Sequence, residues 1–521
     1  MDSQGTQGTQ IDSLAEQPAG AAGAGVPERA LRFIPWVMAT AMFMENLDAT
    51  IVNTAVPTIA RDLAVQPLAL KAVLTSYTLA LAVFIPISGW MADRFGTKRV
   101  FHSAIGVFAL GSLLCGCSVN THMLVVSRIV QGFGGAMMTP VARLVLVKAF
   151  PRSEYLRVLN YVLIPVMIAP LVGPSVGGLI VHFLPWRTIF FINLPISFVG
   201  VWAARKYMLD FREPDVAPMD WRGFVLFGAG VAAVSYVLEI FGQHSGFISR
   251  TTAGGEPVTG VAVWVIWTFA AAGVGLLTAY VLHARRAAHP VLQLRLFRVR
   301  TFNVSVAGGF ITRLGVGGMP FLLPLLYQVG MGFPPWKAGL LTVPQACAAS
   351  GMRIISRVIL RRHGHRRVLA INTVLLGCNI MVFSLVGPGT PIPLILLLSL
   401  MQGFFSSLQF SSINSITYAD IDNHDASKAS SIASTMQQMA LSFGVASTAL
   451  VAGFFLLHVP QTQSAAFIGG LHKTFLAVGA FTILSSVMFR SLREMDGANV
   501  SHYVPRLRAG SAEIPNSKSK F

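Results

Sequence analysis

Apolar runs of about 20 residues recur along almost the whole chain, separated by short polar connections. At the rise of an α-helix, one such run crosses the hydrocarbon core of a bilayer. The alternation that marks strands is absent, which excludes an outer-membrane barrel. The runs predict spans at 33–55, 71–92, 100–118, 121–148, 157–183, 187–208, 221–241, 260–284, 301–328, 336–357, 367–387, 391–417, 428–457 and 472–490. The expected fold class is therefore an all-α membrane protein of about 14 transmembrane helices.

Composition agrees with this pattern. Of 521 residues, 54% are hydrophobic and 12% charged, and the mean hydropathy is +0.63. A soluble domain carries roughly 25% charged residues. Cys115, Cys117, Cys347 and Cys378 all fall inside apolar runs, as small core residues do, and give no disulfide framework or zinc site.

A net charge of +18 raises the question of nucleic acid, and the placement of the charges answers it. Arg94, Lys98 and Arg99 follow the second span, Lys148, Arg152 and Arg157 the fourth, and Arg205, Lys206 and Arg212 the sixth. The arginines at 285, 286, 295, 298 and 300 follow the eighth, and those at 361, 362, 366 and 367 the tenth. The intervening loops are almost free of Lys and Arg. This is the positive-inside pattern, with both termini and the basic loops expected in the cytoplasm and the chain multi-pass in the inner (plasma) membrane. The acidic loop at Asp420, Asp422 and Asp425 is the one exception. The bilayer, not nucleic acid, is the implied partner.

The chain also repeats itself. Gly96-Thr97-Lys98-Arg99 is echoed by Gly364-His365-Arg366-Arg367, and Gln131-Gly132-Phe133 by Gln402-Gly403-Phe404, both at an offset of about 270 residues. The division expected is a cytoplasmic disordered tail (1–30), an N-terminal six-helix bundle (31–212), two inserted helices (213–290), a C-terminal six-helix bundle (291–495) and a second polar tail (496–521). Two repeated six-helix halves are the architecture of alternating-access transporters, with the substrate site at their interface.

Several motifs carry chemistry. In the first span, Leu47-Asp48-Ala-Thr50-Ile-Val-Asn53-Thr-Ala-Val-Pro57 places carboxylates in hydrocarbon, because Glu45 lies one turn from Asp48 on the same face. Arg128-Ile-Val-Gln131-Gly132 stands in the fourth span, and Asp48 and Arg128 both fall roughly 10 Å below the outer surface, which makes a pair geometrically feasible. Between spans 2 and 3 lies Gly89-Trp-Met-Ala-Asp93-Arg94-Phe-Gly96-Thr-Lys98-Arg99. Here Gly89 is expected to admit a close helix, Gly96 to make the turn, and Asp93 to pair with an Arg or a helix N-terminus. Span 5 carries Ala169-Pro170-Leu-Val-Gly173-Pro174-Ser-Val-Gly177-Gly178, small residues for close packing with Pro174 loosening the backbone. Arg313 stands near the middle of span 9, at a depth similar to Glu45, so it is either a substrate contact or the ion-pair partner of Glu45.

These stretches resemble the major facilitator superfamily, and within it the fourteen-span drug:proton antiporters of the EmrB/QacA type, the MdtD/HsrA-like branch above all. The resemblance covers roughly residues 30–495 and departs from the family pattern at Thr97, at Ala169 and at Arg361, where the second-half loop lacks its acidic residue. It implies a major facilitator fold and secondary active transport, with Asp48 and Arg128 coupling protons. Glu45, Asn53, Gln131 and Arg313 are assigned to the substrate cavity, the segment Gly89–Arg99 to gating, and Gly173, Pro174, Gly177 and Gly178 to the antiporter-type motif.

No G-x-x-x-x-G-K-[ST] loop occurs, the His residues lack metal-ligand spacing, and no nucleophile–base pair stands out, so no enzyme activity, cofactor or metal is implied. The expected function is proton-coupled efflux of a small amphipathic molecule. The alternatives are export or exchange of an organic anion, a carboxylate or a metal chelate, anchored on Arg313, and a transporter-like sensor. Small-molecule substrate and protons are thus the expected partners, and the sequence names no periplasmic adaptor.

Overall fold

A computed structural model describes residues 28–150, 152–244, 263–422, 425–456, 464–501 and 503. The expected tails fall mostly outside that range. Among the described residues there is no strand, as hydrocarbon demands: without water, each backbone N–H must find its acceptor within its own segment.

The first group of helices is α1 (Glu28–Asp62), α2 (Lys71–Phe95), α3 (Thr97–Gly116), α4 (Thr121–Ala149), α5 (Arg152–Phe183), the short α6 (Thr188–Phe191) and α7 (Asn193–Tyr207). A hairpin follows, α8 (Trp221–His244) and α9 (Val263–Arg286). The last group is α10 (Arg300–Val316), α11 (Met319–Pro324), α12 (Pro335–Leu340), α13 (Val343–Val382), α14 (Ile392–Thr417), α15 (Ala426–Phe455) and α16 (Ser464–Ser485). Within α13, Gly364 adopts φ 72°, ψ 160° and divides two rods. Gly96, at the start of α3, has φ 90°, ψ 139°. The two echoed sequence motifs thus make the same turn at positive φ, which glycine alone tolerates cheaply.

Among the described residues, eleven helices are long and apolar enough to cross a membrane, or twelve if the bent α5 counts as one span. The count of fourteen is not reached on that test. The two expected spans that fall short are α1, which holds Glu45 and Asp48, and the first rod of α13, with Arg353 and Arg357. Charge retained inside a helix lowers its mean hydropathy, and a charge kept there is a functional signal. In α5 the axis bends by 42° between Pro170 and Val172. Pro174 is the cause: its ring removes the hydrogen bond to the carbonyl four residues back and crowds it, so the bend appears at Pro170.

The helices α1 to α7 pack on one another, as do α10 to α16, and the two groups meet where α2 faces α15 and α5 faces α12. Their contacts gather at one end of the molecule, opposite the loops at 93–99 and 364–367. There one apolar core is shared by both groups, with Ile51, Val56, Leu68 and Val181 packed among Leu322, Tyr327, Leu341 and Leu471. Gln328 Nε2 donates to the Thr54 carbonyl (2.8 Å), and Ser442 Oγ to that of Thr75 (3.1 Å). Towards the loop end the apolar core divides. One cluster runs from Ile34 to Met208 with buried residues of the first group only, and others around Ile416, Phe489 and Met352 hold only last-group residues, while a further cluster still joins Ala82 of α2 to Ile432 and Met439 of α15 through Phe227 and Tyr280 of the hairpin.

The antiporter-type motif is part of the seal. A Cβ on Gly173 would strike the Thr50 side chain, and one on Gly177 would lie 2.6 Å from the Ile51 carbonyl, so these two glycines seat α5 on α1. Gly178 abuts the Pro335 carbonyl, and Gly339 reciprocates against that of Pro174. Backbone meets backbone across the two groups there. The hairpin is held separately: Lys71, 2% exposed, reaches the Leu238 carbonyl (3.3 Å) and Glu239 (3.9 Å) on α8, while α8 also packs on α15.

Gly339→Leu should force this end apart. Overpacking costs about 1–3 kcal/mol, roughly a 5- to 150-fold change in the ratio of two states. Spin labels at Leu184 and Leu340, in a background lacking the four native cysteines, should report longer distances in the variant by electron–electron double resonance. An unchanged distribution would remove the glycine contact from the seal.

Candidate functional site

Asp48 is fully buried, and so is everything that touches it. Its Oδ2 lies 2.5 Å from Arg128 Nη1, while Oδ1 accepts from Gln131 Nε2 and from Asn193 Nδ2, each at 2.8 Å. Arg128 also donates to Gln131 Oε1 (2.7 Å) and, through Nε, to the Val73 carbonyl (3.4 Å). Ser112 Oγ accepts from both Gln131 (2.6 Å) and Asn193 (3.1 Å). The guanidinium lies 4.2 Å from the centroid of the Tyr77 ring, a cation–π contact in a desolvated site.

Local sequence builds this cluster. Arg128 and Gln131 are three residues apart on α4 and so share a face. Gly111 lets α3 approach until a Cβ there would lie 2.5 Å from the backbone of Gln131, which brings Ser112 into reach. Gly132 does the same against the Tyr77 carbonyl of α2, at 2.8 Å. A buried ion pair is tolerated when its remaining lone pairs and protons are satisfied, and here four helices supply the partners. Gln131, expected in the substrate cavity, is sealed inside this cluster instead.

Glu45 sits one turn away and only half-buried. Its Oε2 accepts from Thr139 Oγ1 of α4 at 2.6 Å, with Arg143 the nearby positive charge one turn further on. The alternative pairing of Glu45 with Arg313 does not occur. Asn53, also half-buried, bonds back to the Ala49 carbonyl (3.4 Å). Neither lines the cavity beside Arg313, whose lining belongs to the last group except for Pro170 of α5.

The cavity, about 370 Å³, lies among α10, α11, α13, α14 and Pro170 of α5. Arg313 projects into it with no carboxylate partner among the described residues, its Cζ 5.7 Å from the centroid of the Phe410 ring. Gly309, one turn earlier, leaves room for the guanidinium: a Cβ there would stand 2.7 Å from Nη1. Gln345, Gln402, Gln409 and Ser406 add polar groups to walls made otherwise of Val316, Met319, Leu376 and Ile413. Gln402, the echo of Gln131, accepts from Asn379 Nδ2 at 2.9 Å. Arg313 stands at the same offset from Glu45 as Gly364 from Gly96, so the repeat puts opposite charges at equivalent places in the two halves.

At the loop end, Asp93 lies 3.6 Å from Lys148, which also pairs with Glu213 at 2.5 Å. Lys98 N donates to Asp210 Oδ1 (3.0 Å), and Arg212 Nε to the Arg94 carbonyl (2.9 Å). All these partners lie in the first group or in the connection that leads from α7 to α8, and none in the last group. Gly89, expected to admit a close helix, is exposed, and a Cβ placed on it would meet nothing within 4 Å. In the second half the acidic residue missing at Arg361 is replaced from the chain beyond α16. Glu494 lies 3.5 Å from Arg367, and Asp496 2.5 Å from Arg300. Residues 496–501 are held at the loop end, Asp496 by Arg300 and Asn499 by its donation to the Ala419 carbonyl.

Comparison with known proteins places this geometry. The family model of the Major Facilitator Superfamily matches residues 38–445. The chain belongs to that superfamily. A Serratia proteamaculans (strain 568) relative named as multidrug resistance protein MdtD is 39% identical over 442 residues, 85% of this chain and 88% of that one. A Salmonella heidelberg (strain SL476) protein of the same name is 36% identical over 457 residues, 87% and 93% of the two chains. Solved structures of other transporters share the fold. An auto-inhibited POT family peptide transporter gives a TM-score of 0.63 at 16% identity, covering 91% of this chain and 99% of that one. A D-xylose-proton symporter gives 0.62 at 12% identity, covering 90% and 99%.

The protein is thus a multi-pass membrane transporter of the major facilitator superfamily, homologous to MdtD. Two residues of its charged centre, Ser112 and Asn193, were not among the expected site residues. Ser112 is an ordinary small residue of an apolar run, and the role of Asn193 is visible only in its folded neighbourhood.

Because Asp48 and Arg128 are sealed together, removing either one strands a buried charge. Asp48→Asn and Arg128→Gln should each destabilise the folded protein by about 3–5 kcal/mol. The double variant should lose much less than the sum, since the two residues share one network. Melting of the four proteins in detergent checks this, and additive losses would mean that the pair is not coupled.

Proposed function

We propose that this transporter exports small amphipathic molecules from the cytoplasm by proton antiport, through alternating access. The observation that carries the reading is the apolar core shared by both groups at one end and largely divided between them towards the other, with an apolar, amide-studded cavity in the last group that α5 closes at Pro170. The positive-inside pattern sets the loop end, and both termini, in the cytoplasm of a cell bounded by this inner membrane. The conformation is then cytoplasm-open. The names of the MdtD relatives and of the D-xylose-proton symporter support multidrug export and proton coupling respectively.

Coupling follows from the charge cluster. In the cytoplasm-open state Asp48 is ionised and held by Arg128, so the proton it carried has already left towards the cytoplasm. Substrate then enters the cavity. When the halves rock to the other state, the α1–α4 contact loosens, Asp48 loses Arg128, and a carboxylate in hydrocarbon takes a proton from outside. Glu45, half-exposed and one turn nearer the cytoplasm, is the step between Asp48 and water. At the loop end, the group around Asp93 and Lys148 is the latch of the outward-open state, here engaged only within its own half.

Reconstituted protein separates the roles. Asp48→Asn should abolish pH-gradient-driven accumulation while substrate counterflow persists, because counterflow needs no net proton movement. Glu45→Gln should slow accumulation severalfold and shift its pH optimum, without abolishing it. If Asp48→Asn still concentrates substrate and Glu45→Gln does not, Glu45 is the proton carrier and the assignment reverses.

A second reading is favoured by one observation, that Arg313 stands in the cavity wall with no carboxylate partner among the described residues. A desolvated guanidinium is matched by an anionic group on the substrate, as an organic carboxylate or its metal chelate would supply. Arg313→Gln should then weaken binding of an amphipathic carboxylate by tenfold or more and leave an amphipathic cation unaffected or bound more tightly. Isothermal titration of both ligand types reads the sign, and equal affinities in variant and parent would make Arg313 structural.

A further inference from the structure

A second cavity lies at the loop end, outside the transport pathway. It is about 1080 Å³ and sits between the last turn of α9, the connection to α10 and the first turn of α15. Arg285, Arg295, Arg298 and Lys428 line it with His289, against a single carboxylate, Asp425. That carboxylate is already engaged by Lys428 (3.1 Å) and lies 3.9 Å from Arg295. Arg285 and Arg298 are exposed and have no acidic partner among the described residues. One explanation is that these charges merely fix topology and complement the end of α9. It accounts for Arg285 and Arg286 on the helix, but not for four cations drawn from three separate elements around one hollow. Like charges that converge on a cavity repel unless an anion joins them.

We infer that this cavity binds the phosphate headgroup of an anionic phospholipid. Three observations favour a lipid over a soluble anion. The cavity is at the level where basic loop residues meet headgroups. Its walls also include Val281, Leu294 and Phe297, apolar surface suited to the glycerol and upper chains. Above it, only 17% of the apolar stretch of α9 is buried in the protein, and Leu282, next to the cavity, is 52% exposed, so acyl chains can lie along that helix. Arginine matches phosphate oxygens in a two-pronged fashion, and three arginines supply more donors than one phosphate can accept. A lipid held here would tie the inserted hairpin to the second half through α9, the α9–α10 connection and α15.

Binding is measurable without transport, so its failure would leave the efflux reading standing. Delipidated protein in detergent is titrated with phosphatidylglycerol, with phosphatidylcholine of the same chains, and with inorganic phosphate, and adducts are read by native mass spectrometry. Phosphatidylglycerol should bind at least tenfold more tightly than phosphatidylcholine. Arg285→Gln with Arg298→Gln should abolish that preference, whereas Arg286→Gln, on the same helix turn but outside the cavity, should keep it. Should the double variant melt early, Arg295→Gln alone carries the test, on a side chain that is 77% exposed. Equal binding of the two lipids, or equal loss in Arg286→Gln, would overturn the proposal. So would displacement of the lipid by inorganic phosphate at comparable concentration, which would make this a free-phosphate site.

Discussion

A carboxylate and a guanidinium in hydrocarbon must either find each other or give up their charge, and most of the first half is arranged around that requirement. Asp48 draws donors from α4 and α7, and through Gln131 and Asn193 it reaches Ser112 of α3. The glycines at 111 and 132 bring the helices close enough for those bonds, and the Tyr77 ring covers the cation. Every polar atom spent on the pair is one that lipid cannot satisfy. The network therefore fixes the mutual position of α1, α3, α4 and α7 more tightly than apolar packing would.

Among the described residues the second half has no such buried ion pair. Its equivalent polar residues, Gln402, Asn379 and Gln409, are neutral and need no sealed box, so Gln402 and Gln409 reach the cavity. Arg313 stands beside them with no carboxylate partner among the described residues. Charge is thus concentrated in a sealed cluster on one side of the interface and left open to a ligand on the other. A transporter in which one half handles the proton and the other the substrate would be built this way, and the two would communicate through α1 and α5, which touch at Gly173 and Gly177.

The two ends of the molecule are held by different physics. At the sealed end, backbone meets backbone at Gly178 and Gly339 and a shared apolar core closes over it, contacts that lack direction and break as a unit. At the loop end, each half is tied to itself by ion pairs, through Asp93, Lys148 and Glu213 on one side and through Arg300, Arg367, Glu494 and Asp496 on the other. Surface ion pairs contribute little each and exchange partners readily. That suits loops which must release one set of contacts and make another when the halves rock.

Much of this was legible in the linear pattern, because hydrocarbon leaves the backbone few choices. The helical class followed from run length alone, and the repeat was visible in Gly96 and Gly364, whose turns at positive φ could be anticipated from glycine beside basic residues. The pairing of Asp48 with Arg128 was legible too, since equal depth and opposite charge leave little else for either to do. What the sequence could not decide were questions of angle and neighbour. Glu45 and Arg313 matched in depth, yet they face different helices. Gln131 carried the marks of a cavity residue and is sealed, because Gly111 lets α3 close over it. The acidic partners absent at Arg361 arrive from far along the chain, at Glu494 and Asp496. Depth along a helix is fixed by the order of residues in a span. Which side of the helix meets which partner is fixed only when all the helices pack at once, and that is why the tertiary structure decided it.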